Sequence, residues 1–259
     1  MGVEMRAQPM AGDTPASVLP RALRLLEQFS DRRRALTLSE LSRRSGLAPA
    51  TVFRLLGHLT DWGALERLPS GQYVVGVRLW EIASLAPRGN GLRQVALPYL
   101  EDLYEVTRHH VLLTVVDRGD GVLIDRLSGR AATEVAYRVG GRMPLRSTAG
   151  GRVLLAYSNP GFVESVLAAP ADTEPGMPVI GADETRRVLA DARRQGAAVV
   201  RRSAPSKTVA VAAPIFDRSG EIAAALSIVV PGSNTRVHAF IALVRTSART
   251  ISRSLGAPT

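Results

Sequence analysis

Between Thr37 and Leu59 the chain is punctuated so closely that one local arrangement fits it: two short helices joined by a tight turn. Thr37-x-x-Glu40 is a capping box, in which the hydroxyl and the carboxylate each satisfy a free backbone N–H at the start of a helix. Leu38 and Leu41 supply that helix's apolar contacts. Gly46 stands where a left-handed residue ends it. Pro49 then falls in the first turn of the next helix, where its missing N–H costs little. From there Val52, Leu55, Leu56 and Leu59 repeat the i, i+3, i+4, i+7 stripe of an amphipathic helix. Ala48 is a poor N-cap, a small local inconsistency.

The flanking segments extend this unit. Residues 1–16 are rich in Gly, Pro and small side chains without periodicity and read as a mobile tail. From Val18, the residues Leu19, Ala22, Leu23 and Leu26 follow helical spacing, widened by Leu25 and Phe29, with Pro20 in the first turn. The polar run Ser30-Asp31-Arg32-Arg33-Arg34 ends that helix. After it and the helix pair, Ala64–Leu68 and Gln72–Val75 flank Pro69-Ser70-Gly71 as a β-hairpin. A helix, a helix–turn–helix and a hairpin within about 60 residues make the layout of a winged helix–turn–helix, here residues 17–77. Leu79–Ala86 reads as a helix, and Pro87-Arg88-Gly89-Asn90-Gly91 has the composition of a hinge, so 78–91 is expected to link two domains.

Residues 92–259 are expected to form an α+β domain around a mainly antiparallel sheet. A helix from Leu92 to about Arg108 contains Pro98, which kinks or offsets it. Val111–Asp117 and Val122–Leu127 read as a hairpin whose turn holds Asp120-Gly121. Glu134–Val139 alternates as a strand, with Val135, Tyr137 and Val139 on one face. Helices are expected over Thr148–Tyr157, Gly161–Ala168 and Asp183–Gln195, with a Pro/Gly-rich loop over Ala169–Ile180. Strands follow at Ala197–Val200, Thr208–Phe216 and Glu221–Val230, and a last helix carries Val237, Ile241, Val244, Ala248, Ile251 and Leu255 on one stripe.

Two residue sets suggest chemistry. On the second helix of the pair, Ala50, Thr51, Arg54 and His58 fall away from the apolar stripe. A helix in the major groove of DNA needs such a face: arginine grips guanine O6 and N7 or a phosphate, threonine reaches a phosphate or a thymine methyl, and alanine permits close approach. Arg43 and Arg44 on the preceding helix can touch phosphates, as can Arg67 and Ser70 on the hairpin. Singly these residues fit a solvated surface better; the capped helix pair with its wing turns the balance to DNA. The second set is Gly140–Arg152, which joins a strand to a helix with a small, Gly-rich first turn. Free N–H groups there can hold an anion, although a tight structural turn explains the segment equally well.

Composition narrows the rest. The chain has 259 residues and no cysteine, which excludes a disulfide scaffold, a thiolate metal site and a cysteine nucleophile. No apolar run is long enough to span a bilayer, and the first residues lack the apolar core of a signal peptide. No Walker A loop, Rossmann fingerprint, GxSxG elbow or HExxH helix is present, and no cofactor or metal is implied. Adjacent His109 and His110 on a strand would face opposite ways, which argues against shared ligation. Net charge is +10, and Lys207 is the only lysine. Arginine on this scale suits phosphate and carboxylate partners but also follows from a GC-rich genome. Only +3 of the excess lies in residues 1–85, so bulk charge does not carry the DNA reading.

The motifs RALRLLEQF, LTLSELSRRSGLAPATVFRLLGHL and GQYVVGVRL, followed in order by GGRMPLRSTAGGRVLLA and VAVAAPIFDRSGEIAAALSIVVP, resemble the IclR family of bacterial transcription regulators from about Ser17 onward. The resemblance implies a winged helix–turn–helix, a linker helix and a GAF-like effector domain. It further implies a cytoplasmic, nucleoid-bound homodimer or homotetramer on palindromic double-stranded operator DNA, responding to a small organic acid, aromatic acids included. By the same resemblance, backbone amides at Ala149 and Gly150, next to Thr148, meet the effector's carboxylate, Ser227 supplies a hydroxyl, and Thr208 and Ala210 line the pocket. Here the chain departs from the family. Where an acidic run is usual it has Val199-Val200-Arg201-Arg202-Ser203-Ala204, and apolar Val229 replaces a second polar site. The expectation is a more apolar, less negative pocket suited to an aromatic or larger acid. A sensor acting through protein contacts is the alternative; an enzyme built on the second domain is a weaker one.

Overall fold

The computed structural model describes residues 17–30, 33–129, 135–171, 173–233 and 237–258. They divide into two compact units, one ending at Gly89 and one starting at Asn90.

The first unit runs α1 (Val18–Leu26), β1 (Ala35–Leu36), α2 (Leu38–Ser45), α3 (Pro49–Asp61), β2 (Leu65–Arg67), β3 (Tyr73–Val75) and α4 (Val77–Ala83). The capping box forms as its sequence predicts. Glu40 N–H donates to Thr37 Oγ1 at 3.3 Å, and Thr37 N–H donates to Glu40 Oε2 at 2.8 Å. Gly46 ends α2 in the left-handed region, at φ +69°. Pro49 opens α3, and Ala48 contributes no side-chain cap. Leu25, Leu41, Leu55, Leu56 and Leu65 meet in one core. α1 is shorter than the apolar stripe suggests: it stops at Leu26, and Phe29 reaches the core from the turn that follows. β1 escapes sequence periodicity because it is two residues long; it pairs antiparallel with β3, Ala35 opposite Val74.

The second unit continues with α5 (Pro87–Thr107), β4 (His110–Asp117), β5 (Asp120–Leu127), β6 (Arg142–Met143), α6 (Ala149–Tyr157), α7 (Pro160–Ala168), α8 (Ala182–Gln195), β7 (Ala198–Arg202), β8 (Thr208–Phe216), β9 (Ile222–Pro231) and α9 (Val237–Ser254). Residues 87–91 are helical rather than a break: Pro87 is the first residue of α5, a position that proline favours. Among the described residues the sheet order is β6-β5-β4-β9-β8-β7, every neighbour antiparallel. α5 and α9 cover one face through Leu100, Leu103, Phe240, Val244 and Ile251. α6, α7 and α8 cover part of the other, against the small residues Ala198, Ala212 and Ala225. The remainder of that face stays open as a cavity.

Two local expectations change. The β4–β5 turn is Arg118-Gly119, since Asp117 pairs with Asp120, so Asp120-Gly121 enters the strand. The expected strand at Glu134–Val139 is absent over its described part, 135–139; Glu134 lies outside the described residues. Other partners hold that segment. Tyr137 O accepts from Arg126 Nη1 at 2.7 Å, and Gly140 N–H donates to Leu123 O at 2.7 Å. The edge of β5 pairs instead with Arg142–Met143.

Candidate functional site

On α3, Val52, Leu55 and Leu56 are buried, while Ala50, Arg54 and His58 are exposed. Thr51 is half-buried, because its position borders the apolar stripe. Arg43 and Arg44 are exposed in the last turn of α2, where cations also complement the helix dipole. On the wing, exposed Arg67 lies over the Tyr73 ring at 5.9 Å, and Ser70 Oγ donates to Gln72 Oε1 at 3.2 Å. Within this unit the α2–α3 pair and the hairpin thus display cations and a small-residue approach surface. Sequence reasoning overlooked Phe53, which is 65% exposed between Ala50 and His58. The signal was present: it is an apolar residue outside the buried stripe, and such a side chain suits a thymine methyl.

The cavity in the second unit encloses about 630 Å³, its open mouth included. All six residues expected at an effector site border it: Thr148, Ala149, Gly150, Thr208, Ala210 and Ser227. The sheet register explains the convergence. Ser227 stands opposite Leu112 and Ala212, and Val229 opposite Ala210, which is opposite Val200; alternate residues therefore face the same side. α6 begins above them. Thr148 Oγ1 accepts the Gly151 N–H at 3.1 Å, and Thr148 O accepts the Arg152 N–H. The N–H groups of Ala149 and Gly150 lie in the first turn, ahead of any intrahelical acceptor. Leu112, Met143, Val135, Val200 and Val229 add apolar walls.

Where Arg202 and Tyr137 border it, the cavity is backed by a charge pair that sequence reasoning did not assemble. Arg202 faces inward because β7 extends to residue 202, while Arg201 faces solvent. Arg202 Nη2 donates to Glu174 Oε2 and, at 2.8 Å, to the Tyr137 hydroxyl, and the guanidinium lies 5.5 Å from the Tyr137 ring centre. Tyr137 in turn donates to Glu174 Oε1, and Ser147 Oγ donates to Glu174 Oε2 at 3.3 Å. Burial and the adjacent carboxylate push the Tyr137 phenol far above its usual range, so it stays protonated. The acid missing between Gly196 and Thr208 is thus matched by one from the 169–180 loop. The expected positive excess is cancelled at Arg202.

A family model described as the bacterial transcriptional regulator IclR C-terminal region matches residues 87–253, and one for the IclR helix-turn-helix domain matches residues 18–69. The HTH-type transcriptional regulator XynR of Escherichia coli (strain K12) is 27% identical over 243 residues, covering 92% of this chain and 96% of its own. KdgR of the same strain is 28% identical over 251 residues, covering 94% of each. Among solved structures, an IclR homolog from Microbacterium hydrocarbonoxydans complexed with 4-hydroxybenzoate is 34% identical, with a TM-score of 0.86 over 92% of this chain and 99% of that one. The Thermotoga maritima IclR is 25% identical, with a TM-score of 0.73 over 92% and 98%. These relatives are regulators rather than enzymes, and this chain belongs to the IclR family of DNA-binding transcription regulators, with a C-terminal ligand-binding domain.

Proposed function

We propose that this regulator binds palindromic operator DNA as a homo-oligomer and that an aromatic carboxylic acid in the cavity controls it. One observation carries the effector reading. Among the described residues, the Ala149 and Gly150 N–H groups and the Ser227 and Thr208 hydroxyls border the cavity as hydrogen-bond donors among apolar walls. The 4-hydroxybenzoate complex of the similar Microbacterium protein supports the same class. The acid's carboxylate sits at the start of α6 beside Ser227, with Thr148 holding the turn and Ala210 leaving room for the ring.

On the DNA side, Arg54 and His58 read bases or phosphates, Ala50 lets the helix approach, and Thr51, Arg43, Arg44, Arg67 and Ser70 contact the backbone. Functionally, residues 17–77 read DNA, 78–91 connect, and 92–259 bind the effector and share in assembly. Assembly is supported by α4, none of whose residues is buried and whose Trp80 is 69% exposed; exposed Leu19 and Leu23 on α1 add apolar surface. A second copy covers such a surface. The family and its DNA role support a place in the cytoplasm, on the nucleoid.

Genomic footprinting locates the operator, after which the full chain is titrated with that DNA, with and without 4-hydroxybenzoate or benzoate. A ligand-dependent change in operator affinity is expected. Arg54→Ala is expected to weaken specific binding by about 1–3 kcal/mol. Unchanged affinity in Arg54→Ala rejects that base contact, and indifference to both acids rejects the effector class. Salt-insensitive binding, or none, would favour the protein-contact alternative.

A further inference from the structure

A carboxylate at the start of α6 leaves the Arg202 and Thr208 side of the cavity unexplained. Thr208 lies four residues along β8 from Ala212, the partner of Ser227, which is about 13 Å of strand. Arg202 pairs in register with Thr208, and both border the cavity. The polar wall that an aromatic acid anchored at α6 leaves for its ring substituent is the one formed by Arg202, Tyr137 and Thr208.

The charge at that end decides what the substituent can be. Arg202 is one cation, Glu174 one carboxylate, and Tyr137 is neutral, so the cluster has no net charge. Both Glu174 oxygens are occupied, one by Tyr137 and the other by Arg202 and Ser147. Glu174 is only 7% exposed, so water screens it little. A second carboxylate brought here loses its hydration and meets Arg202 only together with the repulsion of Glu174. A neutral hydroxyl or carbonyl incurs neither cost. A guanidinium has five N–H donors, and three of its bonds are committed, to Glu174, Tyr137 and the Pro175 carbonyl. The Thr208 hydroxyl is a further donor beside it.

We infer that the Tyr137–Glu174–Arg202 cluster is a charge-neutral specificity site, which selects aromatic acids carrying one carboxylate and a neutral hydrogen-bonding group at the opposite end, and rejects dicarboxylates. The inference rests on the proposed seat of the carboxylate at α6. Glu174 acts on specificity by cancelling Arg202; Arg202 and Thr208 make the contact.

Calorimetric titration of the full chain tests it, using two probe sets of different length. One is benzoate, 4-hydroxybenzoate and benzene-1,4-dicarboxylate; the other is 3-phenylpropionate with its 4-hydroxy and 4-carboxy derivatives. In at least one set the hydroxy acid is expected to bind about 10-fold tighter than the plain acid, as for a hydrogen bond to a charged donor, and tighter still than the dicarboxylate. Glu174→Gln keeps the shape and the acceptor oxygen but removes the negative charge, and is expected to move the dicarboxylate to first place. Arg202→Met combined with Glu174→Gln should erase the preference of the hydroxy acid over both the plain acid and the dicarboxylate. Equal binding of hydroxy acid and dicarboxylate by the wild type in both sets overturns the inference, as does an unchanged ranking in a folded Glu174→Gln protein. If no probe in either set binds, the aromatic-acid reading falls and takes this inference with it; binding without discrimination removes this inference alone.

Discussion

A methyl group placed on Gly151 would lie 2.5 Å from both Cα and the carbonyl oxygen of Leu145, inside backbone that has no room to move. Placed on Gly150, the same group meets Thr114 Oγ1 at 3.5 Å, an ordinary contact on the cavity side. Two neighbouring glycines thus answer to different surroundings, close-packed backbone for one and the cavity wall for the other. Gly151→Ala is expected to destabilise the second unit by about 1–3 kcal/mol, read as a lower denaturant midpoint. Gly150→Leu should fill the space before the α6 N–H groups, abolishing acid binding while operator affinity is retained. Loss of both functions in Gly150→Leu would mark a folding defect and reject its role at the site. At this scale the sequence displayed Thr148, Ala149, Gly150 and Ser227 through the family motifs they sit in. It hid Glu174, which lies in an aperiodic loop. That residue is buried through contacts 28 and 37 positions away in the chain, and Gly176, at φ +76°, brings the loop against Ala204.

Among the elements, α2 shows how far local chemistry reaches. Its start and stop are written in Thr37, Glu40 and Gly46, and the structure places both ends there. Thr37→Ala is expected to cost about 1 kcal/mol of stability in the first unit, seen as a lower melting temperature. The cap also has a pH signature. The Thr37 N–H and hydroxyl, with Arg43 and Arg44 nearby, hold the Glu40 carboxyl below its ordinary value of 4.5. A carboxyl lowered in the folded state stabilises above its unfolded pKa, and that contribution is lost as the pH falls through the lower folded value. The difference between wild type and Thr37→Val should therefore shrink as the pH falls below the ordinary carboxyl value of 4.5. A difference that stays constant over this range would contradict the assignment. Elements without such signals were misjudged. β1 is too short to show a period, and 135–139 alternates like a strand yet is held by Arg126, Glu174 and Arg202 instead of a neighbouring strand.

For the whole molecule, the two units have separate cores, one built on Leu25, Leu41 and Leu56 and the other on the six-stranded sheet. Unfolding of the full chain in urea is expected to show two transitions. An aromatic acid in excess should raise only the transition of the second unit, as binding to its native state requires, while Thr37→Ala should lower only the other. A single transition that both perturbations shift together would contradict this independence.

Helix ends, strand periods and ordered motifs are short-range properties, so the sequence by itself determined the winged helix–turn–helix, the antiparallel α+β class and the glycine turn that opens α6. Which residues share the cavity was decided by sheet register and loop docking, which join positions tens of residues apart. Arg201 and Arg202 make the point: composition counts them as two added positive charges. Strand alternation sends one to solvent and the other onto a buried carboxylate, because the field at a site depends on where charges end up and not on how many the chain carries.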